Sequence, residues 1–517
     1  MTVVDALVLA AGVAAIALAL LRWLRVAQRE HYLPGSAARF ASRWWARTPV
    51  DTACLVLGCA GAVASAWFPP AAVLTAAATG AAPIHLKVRG RTSRLSWTRR
   101  LTTLGGVAGT IGLLGLAAGS LVGGLKGAVF ASALLAVLAP AVVDVALGLT
   151  RPIEDRLSDK FVRRAVARLQ RVKPVIVAVT GSYGKTTTKG YIAHIAGANR
   201  DTVASPASYN NKNGLARTVN EHLGPATEVL VAEMGTYGPG EIAEMCEWMT
   251  PAIAVITAIG PAHLERFKSL DRTLAAKAEI TKYAHVVVLN VDDTRLASLA
   301  ESLASSTQHI VRVSGSDPNA DVAVLAVPDG IELRVGGKRQ GLAAIGAAAR
   351  PTALSNAACA VAVALELGLP AQAILARLAN LPLPPNRLQK YAAEKGYVVL
   401  DDTFNSNPAG ARLALGRLAD EAVSGRRVLV TPGMVELGRE QFRENTAFAE
   451  AAAAIVSDLA IVARTNRKAL TAGVAKAGRG TNLVAFDRLD QAVEWVRGQL
   501  GSEDAVLYEN DLPDHFP

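Results

Sequence analysis

The stretch Thr180-Gly-Ser-Tyr-Gly-Lys-Thr-Thr-Thr188 decides how this chain is organised. It follows a short apolar run, residues 174–179, whose β-branched content is typical of a buried parallel strand. The residues after it, KGYIAHIAG, predict a helix. A strand, a glycine turn and a helix N-terminus together form an anion site, because backbone N–H groups and the helix dipole point at a phosphate. The sequence therefore predicts a nucleotide phosphate loop.

This loop is shorter than the general G-x-x-x-x-G-K-[ST] pattern, because Val179 stands where the first glycine belongs. The lysine of such a loop reaches the β- and γ-phosphates, and the hydroxyl after it holds Mg²⁺. A plain tight turn is the alternative. The predicted nucleotide contacts of the loop are Gly181, Ser182, Tyr183, Gly184, Lys185, Thr186 and Thr187.

The basic charge of the chain is concentrated in its first part. Residues 1–148 contain 13 basic and 4 acidic residues, whereas the remainder has 41 and 39. A strongly basic protein can bind nucleic acid, but here the basic residues lie between apolar stretches. We therefore expect a membrane protein with no nucleic-acid partner. The four cysteines show no metal or redox spacing, which favours a reduced, structural interpretation.

The first 150 residues predict a transmembrane region of about five spans. Loops 22–50 and 85–100 are both rich in arginine, so both should face the cytoplasm, which requires a hairpin that turns at Pro69-Pro70. A re-entrant pair or a single longer span remains open for that hairpin, and buried soluble helices are the alternative for the whole region. The predicted spans are 3–21, 52–67, 71–84, 101–125 and 127–149.

This topology predicts a multi-pass protein of the inner or plasma membrane with everything after residue 151 in the cytoplasm. Residues 151–173 alternate in charge and carry apolar residues at helical spacing. They predict a linker helix, either near the lipid headgroups or as a solvated connector.

Two α/β domains are predicted after the linker, over residues 174–380 and 387–517. Apolar runs alternate with helical stretches in both, as in doubly wound sheets of Rossmann type, and the proline-rich segment 381–387 predicts a hinge. Ligands of such sheets bind at the carboxyl ends of the strands. Glu233 and His263 stand at such ends, although a lone glutamate could cap a helix and a lone histidine could serve a loop.

Several motifs in fixed order resemble the Mur ligases, most closely the branch that adds D-alanyl-D-alanine to the muramyl-peptide precursor. The similarity runs from about Val175 to the end of the sequence. The motifs are TGSYGKTTTK (180–189), SYNNKNG (208–214), AEMGTYGPGEI (232–242), TAIGPAHLERFKSLDRTLAAKAEI (257–280), NVDD (290–293), SNAACAVAVALELG (355–368) and DDTFNSNP (401–408).

The resemblance implies ATP-dependent amide formation. A carboxylate takes the γ-phosphate to give an acyl phosphate, and the amine of an amino acid or dipeptide then displaces phosphate. Such a protein needs no covalent nucleophile, since its task is positioning and charge neutralisation.

The resemblance also implies two Mg²⁺ ions and a modified lysine. Thr186 and Glu233 would bind the first ion and His263 the second. Lys277 matches the lysine that the family carbamylates with CO₂, and a carbamate is an anionic oxygen ligand where an ammonium would repel the metal. Without the resemblance, Lys277 would be interpreted as an exposed helix lysine.

Five further assignments rest on the same resemblance. Asn356 matches an adenine contact and Asn211 a loop residue near phosphates and substrate, with cap or turn chemistry as the alternative for both. Arg387 matches the arginine that stabilises phosphate charge, in the manner of an arginine finger. Asp402 matches a ribose or nucleotide contact, and Asn405 stands beside it in the family's Tyr-Asn position, which here is Phe-Asn.

Two departures concern the substrate. Predicted membrane spans occupy the place of the family's UDP-binding N-terminal domain, and LYENDLPDHFP replaces a lysine-containing segment near the end. They motivate the hypothesis that the carboxylate acceptor is lipid-linked. The alternatives are a ligase that makes another amino-acid polymer or a polyglutamate, an ATP-driven transporter subunit, and a scaffold without catalysis. Nothing in the sequence indicates an oligomeric state.

Overall fold

The structure, a computed structural model, divides into two compact units. One contains residues 1–158 together with 512–517, and the other contains residues 159–511. The residues described are 3–89, 94–206, 209–345, 354–382, 388–403, 406–421, 423–512 and 515–516.

The first unit is helical. A 3₁₀ turn, Pro69–Ala71, precedes the fourth helix, and the sixth helix continues past this unit, so that its last part is the helix predicted at 151–173. The helices are α1 (Val3–Arg29), α2 (Ser36–Trp45), α3 (Pro49–Ala64), α4 (Ala72–Ala81), α5 (Arg99–Val137) and α6 (Ala139–Val172).

Helices α3 and α4 form the predicted hairpin at Pro69-Pro70. Small residues let the two helices approach closely: a Cβ on Gly61 would lie 2.8 Å from the Thr75 hydroxyl, and Thr75 Oγ1 donates to the Gly58 carbonyl at 2.9 Å. The ten residues of α4 span only about 15 Å, half the thickness of a bilayer core. This length fits the re-entrant alternative, and the number of spans stays a prediction.

Helix α5 is broken at Gly123 and Gly124, close to the predicted boundary between the spans 101–125 and 127–149. Both residues have non-helical backbone angles, and the helix then folds back on itself. A Cβ on Gly119 would lie 2.5 Å from the Gly127 carbonyl, and one on Gly115 would lie 3.0 Å from Leu135. The two halves of α5 therefore form an antiparallel hairpin packed through glycine.

Within the part of the chain that the structure describes, two helices, α1 and α5, are long and apolar enough to cross a membrane. Their outer faces expose large apolar side chains, such as Leu121 at 88% and Val122 at 91%. Apolar surface of this extent is rare on proteins surrounded by water.

The buried guanidinium of Arg22 binds the carboxyl end of α4. It donates to the carbonyls of Thr79, Gly80, Ala82 and Leu86 at 2.9–3.0 Å. These carbonyls lie in or just after the last turn of the helix, where they lack helical partners. Arg22 therefore both caps the helix and complements its dipole.

The segment around His515 is the last part of the first unit. The Trp44 indole N–H donates to the His515 carbonyl at 3.0 Å, and His515 Nε2 lies 3.3 Å from the Glu30 carboxylate. Phe516 packs edge-on against Phe40 at 5.2 Å. We refer to His515 and Phe516 as the tail segment.

The second unit contains two sheets, which lie in the two predicted ligase domains. The larger has the strand order β2-β3-β1-β4-β5-β6-β7-β8-β9. It is parallel from β2 to β7 and antiparallel from β7 to β9. Its strands are β1 (Val175–Thr180), β2 (Thr202–Ala204), β3 (Val229–Glu233), β4 (Ile253–Ile256), β5 (Val286–Asn290), β6 (His309–Ser314), β7 (Val322–Val327), β8 (Gly330–Val335) and β9 (Lys338–Ala344).

Helices cover both faces of this sheet, because its central strands are apolar on both sides. One core is built around the seventh and thirteenth helices, and the other around the end of α6 and the helices that follow β2 and β3. The helices are α7 (Lys185–Ala196), α8 (Lys212–His222), α9 (Glu241–Met249), α10 (Leu264–Phe267), α11 (Leu270–Ala278), α12 (Thr294–Leu303), α13 (Leu354–Glu366) and α14 (Ala371–Leu378), with a 3₁₀ turn at Glu279–Tyr283.

The smaller sheet has the order β10-β11-β15-β12-β13-β14 and is parallel except for β10. Its strands are β10 (Gln389–Ala392), β11 (Val398–Asp402), β12 (Arg427–Thr431), β13 (Asp458–Val462), β14 (Asn482–Phe486) and β15 (Ala505–Glu509). Its helices are α15 (Pro408–Ala419), α16 (Gln441–Ala453), α17 (Arg467–Ala477) and α18 (Leu489–Gln499), with a 3₁₀ turn at Gly438–Glu440. The predicted fold class, apolar N-terminal helices followed by two α/β sheets, is confirmed.

Candidate functional site

The predicted phosphate loop is a tight turn between β1 and α7. Gly181 has φ 151° and Gly184 has φ 80°, angles that a side chain disfavours. A Cβ on Gly184 would lie 2.4 Å from the Asn356 amide oxygen, so glycine is needed here for space as well. Asn356, on α13, thus lies directly against the loop.

The residues that follow β4, the strand paired with β1, contact the phosphate loop and support it. The Ser182 N–H donates to the Ala258 carbonyl at 2.7 Å, and the Thr257 hydroxyl donates to the Tyr183 carbonyl. The ring of Tyr183 packs on Gly260, where a Cβ would lie 2.2 Å from it. The loop is therefore supported by hydrogen bonds and packing from the residues that follow β4.

Lys185 opens α7, and its ammonium donates to the Gly181 carbonyl at 2.7 Å. Thr186 and Thr187 follow in the first turn and are partly exposed. The N–H groups of a first helical turn have no helical acceptors, so this twelve-residue helix presents them where the sequence predicted a phosphate site.

Glu233 ends β3 in register with Val179 of β1, which puts its carboxylate beside the loop. Lys189 Nζ lies 3.1 Å from that carboxylate, and Asn210 Nδ2 donates to it at 3.3 Å. Burial opposes ionisation, but the ammonium groups of Lys189 and Lys185 outweigh it and lower the pKa of Glu233 below its ordinary value. The group is an anion at neutral pH.

Lys277 lies near the end of α11 and is only 3% exposed. Burial, and then repulsion from Lys185, lower its pKa well below the ordinary 10.5. This result corrects the expectation, held without the family resemblance, of an exposed helix lysine. The two lysines, 92 positions apart in sequence, are therefore close enough for their charges to repel one another.

His263 precedes α10 with φ 54°, and its Nδ1 is hydrogen-bonded to the Glu436 carboxylate. Tyr237 lies edge-on to the imidazole at a centroid distance of 5.2 Å. Arg266 lies over the Tyr237 ring at 4.5 Å and 3.8 Å from Glu436. The imidazole is therefore held from two sides.

The remaining predicted residues have different placements. Asn211 is exposed and caps α8, where its side-chain oxygen accepts the Gly214 N–H at 2.9 Å. Asp402 ends β11 and is 8% exposed. Arg387 and Asn405 lie outside the described residues, and their roles stay predictions.

A buried acid lies beside Asp402 at the carboxyl ends of the second sheet. Glu509, on β15, accepts a hydrogen bond from Thr431 at 2.6 Å and another from Ser406. Complete burial raises its pKa to about 8, partly opposed by the Thr431 hydrogen bond. This carboxyl holds its proton at neutral pH.

Three site residues were missed from the sequence. Lys189 follows Lys185 by four positions, which places both on one face of α7, a signal that was available. Asn210, not its neighbour Asn211, contacts Glu233. Because two asparagines stand side by side, the sequence did not indicate which of them would do so. Glu436 is far from His263 in sequence, and no local pattern pairs them.

Among the described residues, no group of three or more His, Cys, Asp or Glu side chains could hold a metal. The Glu233 carboxylate and the Thr186 hydroxyl are oxygen donors beside the loop. Mg²⁺ is usually bound by one or two carboxylates together with substrate phosphates and water. The donor set fits such an ion and does not form an all-protein cage.

Comparison with known protein families shows to which family this chain is related. Residues 179–364 match the Mur ligase middle domain, and residues 386–508 match the Mur ligase glutamate ligase domain. This chain belongs to the Mur ligase family. As a Mur ligase it is an ATP-dependent carbon–nitrogen ligase that joins an acid to an amino acid. Neither match covers residues 1–178.

Individual relatives of this Mur ligase are similar over the same part. The UDP-N-acetylmuramoyl-tripeptide–D-alanyl-D-alanine ligase of Mycobacterium tuberculosis is 31% identical, over 67% of this chain and 72% of its own length. The ligase of the same name from Escherichia coli is 29% identical, over 60% and 70%.

Solved structures share the fold. MurF from Acinetobacter baumannii superposes with a TM-score of 0.59 at 23% identity, over 68% of this Mur ligase and 77% of that chain. MurF ligase from Thermotoga maritima in complex with ADP gives 0.58 at 23%, over 68% and 80%.

Proposed function

We propose that this Mur ligase is anchored in the cell membrane and forms an amide bond in the synthesis of a cell-wall peptide or a related envelope polymer. Its carboxylate acceptor is a peptide precursor, and its second substrate is an amino acid or a dipeptide. The observation that carries the proposal is the braced phosphate loop at the edge of a parallel sheet, with Glu233 and Lys277 buried around Lys185.

The loop and the first turn of α7 would bind the ATP phosphates. Gly184 and the first residues of α7 supply backbone N–H groups, and Lys185 exchanges its loop carbonyl for a phosphate oxygen. Asn356, against Gly184, is placed to contact the nucleotide, and Asp402 from the second sheet would contact the ribose. Mg²⁺, when held by Thr186 and Glu233, would supply charge neutralisation to the phosphates.

Lys277 would act as a carbamate. Its burial favours the neutral amine, which is the form that attacks CO₂. The amine nitrogen bonds to the CO₂ carbon, one C–O π bond breaks and the nitrogen loses one proton, so the neutral buried amine becomes a carbamate with an anionic oxygen. With His263 it would provide the ligands of a second Mg²⁺.

The chemistry proceeds in two balanced steps. An oxygen of the acceptor carboxylate bonds to the γ-phosphorus of ATP and ADP leaves, which gives the acyl phosphate. The neutral amine nitrogen then bonds to the acyl carbon, loses a proton, and inorganic phosphate leaves. The protein contributes position and positive charge, for which Lys185 is available and Arg387 is proposed.

The first unit would hold the ligase at the membrane. Three segments would cross the membrane: helix α1, the first half of α5, and the second half of α5 together with the start of α6. The α3–α4 hairpin would enter the membrane without crossing it. The arginine-rich segments 22–50 and 85–100 then lie on the cytoplasmic side with the ligase. A lipid-linked acceptor suits this arrangement, because the carboxylate stays at the membrane surface.

Reconstitution in lipid nanodiscs tests the proposal. The protein is given ATP, lipid-linked or UDP-linked muramyl peptides, and a panel of amino acids and dipeptides; phosphate release and product masses are measured. We expect an ATP-dependent amide product, with faster turnover of the lipid-linked acceptor. Equal or better turnover of the soluble acceptor would contradict the lipid-linked assignment, and a polyglutamate product would favour the alternative ligase.

A matched variant separates the ligase from background hydrolysis. Lys185→Ala removes the phosphate ligand and should abolish product, whereas Lys282→Ala, an exposed lysine in the same domain, should retain it. A full yield of amide from Lys185→Ala would contradict the site assignment.

A further inference from the structure

Glu436 connects the two ligase domains at His263. It lies in the loop after β12, on the second sheet, whereas His263 precedes α10 beside the first sheet. Besides the hydrogen bond between their side chains, the Glu265 N–H donates to the Glu436 carbonyl at 3.2 Å. Both the side chain and the backbone of Glu436 thus bind one short segment of the other domain.

The backbone at this contact is unusual on both sides. Glu436 has φ 63° and His263 has φ 54°, in the left-handed region that residues with side chains rarely occupy. Such conformations persist when the surroundings stabilise them, and they cluster at functional sites. Gly438 has φ 59°, and a Cβ added to it would lie 3.4 Å from the Glu265 nitrogen. The loop is therefore shaped to fit α10.

The hydrogen bond also fixes the chemistry of the imidazole. A carboxylate that accepts from Nδ1 keeps the proton there and leaves the Nε2 lone pair free to bind a metal. Tyr237, edge-on to the ring, restricts its rotation. A histidine that must serve a divalent ion needs this tautomer and a fixed orientation.

We propose that Glu436 is a positioning residue that couples closure of the two ligase domains to the second divalent-ion site, by holding His263 in its metal-binding tautomer. The inference rests on the proposed function, because His263 needs this tautomer only if it binds the ion. When the domains separate, His263 loses its hydrogen bond to Glu436. When they close, that hydrogen bond orients the imidazole of His263 toward the ion. Metal binding and domain closure then favour one another.

The test uses the full chain in nanodiscs with Mn²⁺ as a paramagnetic probe and ADP as the nucleotide. We compare wild type with Glu436→Ala and Glu436→Gln, and count bound ions by electron paramagnetic resonance. Outer partners of metal-binding histidines typically contribute about 10–100-fold to metal affinity. We expect Glu436→Ala to weaken the weaker-bound ion at least about tenfold, Glu436→Gln to weaken it less, and both to bind ADP normally without metal.

Hydrogen exchange provides a second readout that does not depend on activity. In wild type, Mn²⁺ and ADP together should protect peptides that cover 263–267 and 432–438, and Glu436→Ala should lose this joint protection. The control is Glu440→Ala, a nearby glutamate whose carboxylate pairs with Arg443, which should behave as wild type.

The outcomes distinguish this inference from the proposed function. If Glu436→Ala binds two ions with wild-type affinity and keeps the joint protection, the inference is wrong and the ligase proposal stands. If wild type itself binds no second ion in the presence of ADP, the inference and the assignment of His263 and Lys277 to a second ion are both overturned, whereas amide synthesis is tested separately by the product assay. If amide synthesis by Glu436→Ala recovers at high Mg²⁺ with an unchanged KM for ATP, the positioning role is supported over a merely structural one.

Discussion

The Lys189 ammonium lies 3.1 Å from the Glu233 carboxylate, and both side chains are almost fully buried at the edge of the phosphate loop. The pair occupies the place where the family resemblance puts a divalent cation. A buried carboxylate needs a positive partner. Lys189 provides that charge in this structure, and a metal ion would share the carboxylate with it.

Replacing Lys189 by methionine should destabilise the protein by about 3 kcal/mol, because one buried charge loses its partner. Mg²⁺ should then restore more stability to the variant than to wild type, since the ion replaces the lost charge. The measurement is a thermal or urea melt with and without Mg²⁺. The double variant Lys189→Met with Glu233→Gln should be more stable than the single one, and an equal loss in both would contradict the pairing.

The same pair predicts a pH dependence. Folding lowers the pKa of Glu233 below its ordinary 4.5, so its contribution to stability is complete above pH 4.5 and is lost as the pH falls through the lowered value. In Lys189→Met the loss should begin at higher pH. Urea melts between pH 4 and 7 would show it, and coincident profiles of variant and wild type would refute it.

Dissolved CO₂ should stabilise the protein through Lys277. Because burial lowers the pKa of this amine below 10.5, the unmodified side chain reduces stability at pH values below 10.5, increasingly so down to the lowered pKa. Carbamylation removes the buried cation. At fixed pH and ionic strength, bicarbonate should raise Tm by about 2 °C or more, and Lys277→Met should show no such response while chloride serves as the control salt.

Because Glu509 is buried as a protonated carboxyl, the second ligase domain should become less stable as the pH rises. Its pKa is 4.5 ordinarily and about 8 in the folded chain, so the folded state retains a proton that the unfolded state has lost, and stability falls as the pH rises from 4.5 to 8. Each unit of difference corresponds to about 1.4 kcal/mol. Glu509→Gln should therefore flatten the pH profile of unfolding; a parallel profile would show that Glu509 ionises normally.

The Arg22 contacts predict a strong effect in the first unit. Arg22→Leu leaves the carbonyls at the end of α4 without these donors and should cost about 3 kcal/mol in detergent melts. Arg22→Lys should recover little, because an ammonium cannot reproduce the planar fork. Lys126→Leu, at an exposed position beyond the α5 break, is the control. Similar melting of Arg22→Leu and the control would show that the capping is dispensable.

Local patterns predicted the parts of the fold and site that depend on neighbouring residues. The strand, turn and helix around Lys185, the hairpin at Pro69-Pro70 and the break at Gly123 follow from periodicity and from the backbone demands of glycine and proline. The pairing of Glu436 with His263 depends on how two domains pack, and no short-range signal encodes it. Asn210 and Asn211 are chemically identical, so only the geometry of the α8 cap separates their roles.

The tail segment has a consequence for the order in which the protein is made. His515 and Phe516 complete the aromatic cluster around Phe40 and Trp44, yet the ribosome adds them only after residues 159–511. The helices of the first unit therefore acquire these aromatic contacts only after both α/β sheets have been synthesised. A chain truncated before His515 would leave the cluster incomplete.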